Sequence, residues 1–251
     1  MNKESHMLNV VIPMAGLGSR FVNAGYKNPK PFIVFNGKPM ICHVMENLPL
    51  KGARYLLIAQ QEHLKQEAEI VAKIEADYPA KFIPINGLTE GAACTVLHAV
   101  EEINNDLPLL TANSDQLVDV DLQLMVDDAQ RRNLSGSILT FSEPGRDPKW
   151  SYVRLDQNDL VVETAEKVPL SDYATVGIYY FASGQDFVNA ATRMLVEQNR
   201  SNKEYYVCPV YNYLIRSGKR VGYYNIDQSV MHGLGTPEDL EAYLKEHECS
   251  A

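Results

Sequence analysis

An α/β fold with three layers and a mixed central sheet is what this sequence predicts, on two observations. Through the first half of the 251 residues, apolar strand-like runs alternate with helical patterns. That β-α-β-α order places helices on both faces of a parallel sheet. Beyond residue 135 the rhythm changes to several strand-like runs with few helices between them, so antiparallel strands are expected to join the sheet.

The elements follow in order. Leu8–Met14 is a continuous apolar run, as a strand buried on both faces would be. Pro39–Leu48 reads as a helix with Pro39 in its first turn. Arg54–Ala59 and Lys81–Ile85 read as strands around a charged amphipathic helix over Glu62–Ala76, which stops before Pro79. Ala92–Ile103 is expected to be helical, Leu107–Ala112 a strand and Leu122–Arg131 a helix. Gly136–Phe141, Ser151–Leu155, Leu160–Thr164 and Thr175–Phe181 are the strands of the second half. Helices return over Gly184–Gln198 and about Pro209–Arg216, followed by a strand over Val221–Ile226. Thr236-Pro237-Glu238 opens a last helix, with Thr236 as N-cap and Pro237 at the first helical position. The pattern is a Rossmann-like α/β/α sandwich forming a single domain over residues 8–246. The change of rhythm divides it into 8–135 and 136–246.

Composition narrows the function classes. Hydrophobic content of 45% and charged content of 22% suit a soluble globular protein. A net charge of −9 argues against a broad basic surface for nucleic acid. No run of 18 apolar residues predicts a membrane span, and the polar start of the chain does not read as a signal peptide. Ser5-His6-Met7 reads as a cloning scar, so residues 1–6 are expected to be tag or disordered. Cys42, Cys94, Cys208 and Cys249 are widely spaced and form no CxxC, which reads as a reducing cytoplasm and no structural zinc. Tyrosine clusters at Tyr205-Tyr206, Tyr211-Tyr213 and Tyr223-Tyr224 fit either core packing or the face of a homo-oligomer.

The loop after the first strand concentrates the chemistry. From Ser5 to Met45 there is no Asp or Glu, yet Arg20, Lys27, Lys30 and Lys38 occur there. In an acidic chain that asymmetry points to a strongly anionic ligand such as phosphate, which Arg grips with a planar fork and Lys with a compact charge. Open α/β sheets bind ligands at the carboxyl ends of their strands, and Gly16 and Gly18 let the backbone approach a ligand closely. Taken alone, the glycines would also serve a solvated surface loop. A dinucleotide fingerprint lacks its third glycine here, and the Gly-Lys-Ser/Thr of a Walker loop is absent.

Gly16-x-Gly18-Ser19-Arg20, then Pro29-Lys30, then Gly37-Lys38-Pro39-Met40-Ile41, resembles the signature of the sugar-phosphate nucleotidylyltransferases. The resemblance runs from about Leu8 to Leu244. It implies a glycosyltransferase-A-like fold, with 8–135 mainly nucleotide-binding and 136–246 mainly acceptor-binding, and transfer of NMP from an NTP to a sugar 1-phosphate, with release of pyrophosphate. The product would be a nucleotide-sugar for cell-surface polysaccharide (capsule or lipopolysaccharide) synthesis. By the same resemblance Arg20 and Lys30 hold and neutralise the triphosphate. Ala15, Gly16, Gly18, Ser19, Asn86, Gly91 and Ala92 are the implied nucleotide-binding positions. Glu90-Gly91-Ala92 would equally suit a plain helix N-terminus.

Leu109–Asp115 is an apolar strand ending in an acid, similar to the family strand whose aspartate holds Mg²⁺. A carboxylate at a strand end suits Mg²⁺, which takes one or two carboxylates with phosphate oxygens. Asp115 is therefore the implied catalytic metal ligand. Glu166-Lys167 resembles the family segment that contacts the acceptor's hydroxyls and phosphate, with the following proline displaced by one. Ala174-Thr175-Val176-Gly177-Ile178-Tyr179 matches the next family strand, which adds Gly177 to the acceptor side. Gly235-Thr236-Pro237-Glu238-Asp239 resembles a family motif that usually has a metal-binding aspartate two residues earlier. Gly233 stands there instead, leaving Asp227 or His232 as replacement ligands, or Asp115 alone. The added β-helix domain of bifunctional relatives is not expected after this motif.

Three other readings stay open. A cytidylyltransferase acting on a non-sugar phosphate has a similar loop, with serine at the position of Ser19. A regulatory module could bind the nucleotide without turnover. A glycosyltransferase would use a D-x-D metal motif, spelled by Asp119-Val120-Asp121, although a helix start explains it.

Overall fold

The computed structural model describes residues 7–248. The expected tag at 1–6 and Cys249 lie outside the described residues. Four mainly apolar strands build one parallel part of a nine-stranded sheet. They are β1 (Leu8–Pro13), β4 (Ala53–Gln60), β5 (Ala80–Ile85) and β6 (Leu109–Ala112). β1 pairs in parallel with both β4 and β6, and β4 with β5. Between β1 and β4 lie α1 (Ser19–Asn23), the two-residue strands β2 (Val34–Phe35) and β3 (Lys38–Pro39), and α2 (Met40–Glu46).

The crossovers are helical, as the sequence predicts, but two are broken. Glu62–Ala76 was expected as one helix and forms α3 (Gln61–Gln66) and α4 (Ala68–Asp77). The break is Glu67, at φ −107° and ψ 32°. Its buried carboxylate accepts hydrogen bonds from the amides of Asn28 at 3.0 Å and Gln66 at 3.1 Å. A tertiary contact thus overrides helix propensity. Ala92–Ile103 likewise divides into α5 (Ala92–Leu97) and α6 (Val100–Ile103) at Ala99.

The second half adds the antiparallel strands. These are β8 (Gly136–Ser142), β9 (Ser151–Leu155), β10 (Val161–Glu166) and β11 (Tyr173–Phe181). β11 pairs antiparallel with β6, β8 and β9, and so joins the two halves in one sheet. β12 (Val221–Ile226) closes the β8 edge in parallel. The remaining helices are α7 (Gln123–Arg131), α8 (Gly184–Val196), α9 (Tyr211–Arg216) and α10 (Pro237–Glu248). Thr236 caps α10 as expected: its hydroxyl accepts from Asp239 N at 3.1 Å, and Asp239 Oδ2 accepts from Thr236 N at 3.0 Å.

Period-2 alternation sends neighbouring strand residues to opposite faces. Val10, Ile12 and Leu57 join Met40, Val44 and Val126 in one core. Val11, Leu56 and Ile58 join Val96, Phe187 and Leu214 in the other. Each fully buried aliphatic or aromatic side chain contributes roughly 1.5–3 kcal/mol, which is why both faces must be covered by helices. Tyr211, of the tyrosine clusters, is core: its hydroxyl donates to the carbonyls of Tyr180 at 2.8 Å and Ser137 at 3.1 Å. Among the described residues no helix is long and apolar enough to cross a membrane, and Cys42, Cys94 and Cys208 are free thiols.

A small ribbon falls outside the expected elements. β7 (Gln116–Val118) and β13 (Met231–Gly233) pair antiparallel, with His232 opposite Leu117 and Gly233 opposite Gln116. It brings the loop before α10 against the end of β6.

Candidate functional site

The β1 loop is shaped around Lys30. Gly18 has a left-handed backbone at φ +59°, and a Cβ there would lie 2.9 Å from Lys30 Cβ, so only glycine fits without displacement. Pro29 and Pro31 flank the lysine in a short turn over Lys30–Phe32 anchored by the buried Phe32. The ammonium pairs with Asp115 Oδ2, donates to the Gly235 carbonyl at 3.4 Å and lies 5.5 Å from the Phe21 ring centroid. The Lys30 side chain is 13% exposed and that of Asp115 30%, so the pair lies in the wall of the cleft rather than in bulk water. Leu234 N donates to the Asp115 carbonyl at 2.7 Å, fixing the G-T-P-E-D loop beside the acid.

Asp115 lines one of two clefts that share a wall. One, of about 480 Å³, is lined by Ala15, Gly16, Gly91, Ala92 and Asp115 among others. The other, of about 310 Å³, is lined by Glu166, Gly177, Lys149, Trp150 and Tyr206 among others. Ala92 and Asn113 line both. Two tight approaches build the shared wall. Gly91, at φ +130°, lies under the Tyr205 backbone, where an added Cβ would be 2.5 Å from the Tyr205 carbonyl oxygen. Gly177, at φ +96°, lies under Asn113, with only 2.1 Å between an added Cβ and Nδ2.

The other expected residues divide. Ser19 and Arg20 start α1 and are exposed. Arg20 lies toward the start of α10. The Glu238 carboxyl is held below its ordinary value by its own backbone N–H and Thr236, with a smaller contribution from Arg20. Asn86 lines two neighbouring hollows, one with Gln60 and Gln61 and one with Cys94 and His98, rather than the Asp115 cleft. Lys167 adopts a left-handed backbone at φ +58°. Its ammonium donates to the Tyr206 hydroxyl at 3.3 Å, and its pKa is raised, chiefly by that bond.

Glu166 is buried and accepts a hydrogen bond from the Ser151 hydroxyl. Burial pushes its carboxyl pKa up, against the lowering effects of Ser151 and Lys167. A raised folded-state pKa stabilises the fold below the unfolded value, and that stability is lost as pH rises through the folded value. Glu166→Gln escapes this loss and still accepts from Ser151. The variant is expected to melt above the wild type at pH 8, with the gap closing toward pH 4. A variant less stable than wild type at pH 8 would refute the expectation.

Asn113, Lys149, Trp150 and Tyr206 line the clefts and were not legible as site residues. The nearest signal was the Tyr205-Tyr206 pair. Neither replacement ligand for the missing aspartate reaches Asp115. Asp227 caps a turn, accepting from Ser229 N at 2.8 Å and Ser229 Oγ at 2.6 Å. His232 alternates with Gly233 along β13, points to the other face of the ribbon and bonds Asp119. The D-x-D spelling is accounted for as well, since Asp121 accepts from Gln123 N at 2.9 Å, at the start of α7.

Three likenesses bear on this site. Mannose-1-phosphate guanylyltransferase of Mycobacterium tuberculosis is 24% identical over 244 residues, which is 94% of this chain and 63% of that protein. The chain therefore spans less than two thirds of that relative. UTP–glucose-1-phosphate uridylyltransferase AglF of Haloferax volcanii is 25% identical over 243 residues, 93% of this chain and 94% of that one. A nucleoside-diphosphate-sugar pyrophosphorylase structure from Vibrio cholerae superimposes with a TM-score of 0.80 at 24% identity, covering 94% of this chain and 99% of that one. The family model described as nucleotidyl transferase matches residues 9–248; with the glycine loop and the Lys30–Asp115 pair at the strand ends, the chain belongs to the nucleotidyl transferase family.

Proposed function

We propose that this protein transfers NMP from an NTP to a sugar 1-phosphate and releases pyrophosphate. The observation that carries the reading is the Lys30–Asp115 pair, whose aspartate lines one of two clefts that share Ala92 and Asn113. The glycine-walled cleft suits a nucleotide and the one around Glu166 a polyhydroxylated acceptor. An acceptor phosphate oxygen attacks the α-phosphorus, and the bond from the α-phosphorus to the leaving pyrophosphate breaks. A phosphate monoester has a second pKa of about 6 and is mostly dianionic at neutral pH, so the attack requires no general base. Catalysis rests on positioning and charge neutralisation. Lys30 would meet the growing charge on the leaving oxygens, Arg20 would reach the triphosphate from α1, and Lys167 or Lys149 would hold the acceptor phosphate.

The Asp115 carboxylate, partly exposed at a strand end in the cleft wall, fits a Mg²⁺ held by one carboxylate and phosphate oxygens. Such an ion would neutralise phosphate charge. Gly233 adds no second carboxylate, and a Cβ there would meet nothing within 4 Å. Gly233→Asp should therefore be accommodated and lower the Mg²⁺ concentration at half-maximal rate about tenfold. An unchanged Mg²⁺ midpoint would separate position 233 from the metal.

The deciding experiment is pyrophosphate release with each of four NTPs against sugar 1-phosphates, polyol phosphates and phosphocholine. Release with a sugar 1-phosphate supports the proposal. Strict use of CTP with a non-sugar phosphate would support the cytidylyltransferase reading, which the serine at position 19 favours. NTP binding with no release would support a binding module.

A further inference from the structure

Away from both clefts, three side chains from separate elements converge on the face of the β7–β13 ribbon opposite Gly233. Asp119 follows β7, His232 is the middle residue of β13, and His247 lies in the last turn of α10. One candidate ligand atom from each lies within 4.8 Å of the others. We propose that Asp119, His232 and His247 bind a first-row divalent ion of the zinc class, which clasps α10 to the ribbon beside Asp115.

The donor chemistry selects the ion. Two imidazoles and a carboxylate, with water in the fourth position, are a recurring zinc set. Mg²⁺ prefers oxygen donors throughout, so this site and Asp115 would choose different metals. The expectation of no structural zinc rested on cysteine spacing, and this cluster uses no cysteine.

The imidazoles are already oriented. His247 Nδ1 lies 2.8 Å from the Tyr243 carbonyl oxygen. A carbonyl only accepts, so Nδ1 carries the proton and Nε2 offers its lone pair. A hydrogen bond from the other ring nitrogen to a backbone carbonyl is the usual support of a metal-binding histidine. The His232 side chain is 10% exposed. Its ring lies 5.5 Å from that of Tyr243 and 5.3 Å from that of His247, with the two imidazoles 86° apart. Its Nε2 donates to Asp119 Oδ2 at 2.7 Å. The ion would take the place of the proton held between those atoms, which moves to Nδ1 of a neutral ring or leaves to solvent from an imidazolium, so that the ligand is a neutral imidazole, and the two ligands would part by about half an ångström. The clasp would stiffen the ribbon, whose next residues are Gly233 and Leu234, the latter bonded to the Asp115 carbonyl.

The test uses chelator-treated full chain dialysed against Zn²⁺ and, separately, Co²⁺. Metal per chain is read by elemental analysis, and the Co²⁺ environment by its visible ligand-field bands. One ion per chain is expected, undisturbed by excess Mg²⁺, with the melting temperature raised by Zn²⁺. His247→Ala, at the half-exposed end of the helix, should melt like the wild type without metal. It should bind Zn²⁺ about tenfold or more weakly, and Asp119→Asn should be weakened in the same way. Failure of the wild type to take up one ion, displacement by Mg²⁺, or His247→Ala binding as tightly as wild type would each overturn the proposal.

Discussion

Lys30→Met is expected to lower turnover about a thousandfold, the scale of losing one preorganised charge donor at a developing anion. The thermal midpoint should move little. Methionine keeps the stem that packs over Gly18 and toward Phe21, so packing is largely preserved. Asp115 loses its partner, but its side chain is 30% exposed, and a partly solvated pair contributes about 1 kcal/mol or less. The effect should fall mainly on kcat, because charge grows on the leaving phosphates only as the bond breaks. Steady-state pyrophosphate release and a thermal melt on the same preparation test both halves. Near-normal kcat would remove Lys30 from the chemistry, and a collapsed melting temperature would make it a structural residue instead.

What the sequence showed in advance and what it hid follow from the range of the interactions. β1, β4 and β6 are legible because strands buried on both faces read as largely apolar runs, and the half-exposed edge strand β5 is legible from its place after the helical segment. The Lys30 turn is legible because its glycine and prolines constrain the chain locally. The β7–β13 ribbon was missed because three residues are too few to display a period, and its partners are distant in the chain: His232 and Asp119 are separated by 113 positions. The Glu67 break depends on Asn28, 39 residues away, and nothing in the local pattern announces it. Of the motif residues, Ala15, Gly16, Gly91, Ala92 and Asp115 line one cleft and Glu166 and Gly177 the other, whereas Asn86 lines neither. Asn113 was not legible, because its role is to fill the space above a glycine on another strand.

That contact sets the second large effect. Gly177→Ala is expected to destabilise the fold and to reduce activity beyond what the lost stability explains. Its backbone, at φ +96°, costs an L-residue about 1–3 kcal/mol. The new methyl would also lie 2.1 Å from Asn113 Nδ2, and relieving such overpacking costs about 1–3 kcal/mol more. The backbone of Asn113 is held, because its N–H donates to the Gly177 carbonyl at 3.2 Å, so the clash is relieved by turning the Asn113 side chain. Asn113 also lines both clefts two residues before Asp115, so the displacement enters the catalytic wall. Pairing the change with Asn113→Ala separates the two costs. Recovery of stability in the double variant assigns the loss to the clash, and no recovery assigns it to the backbone angle. Wild-type melting and turnover in Gly177→Ala would mean that neither the angle nor the contact constrains this site.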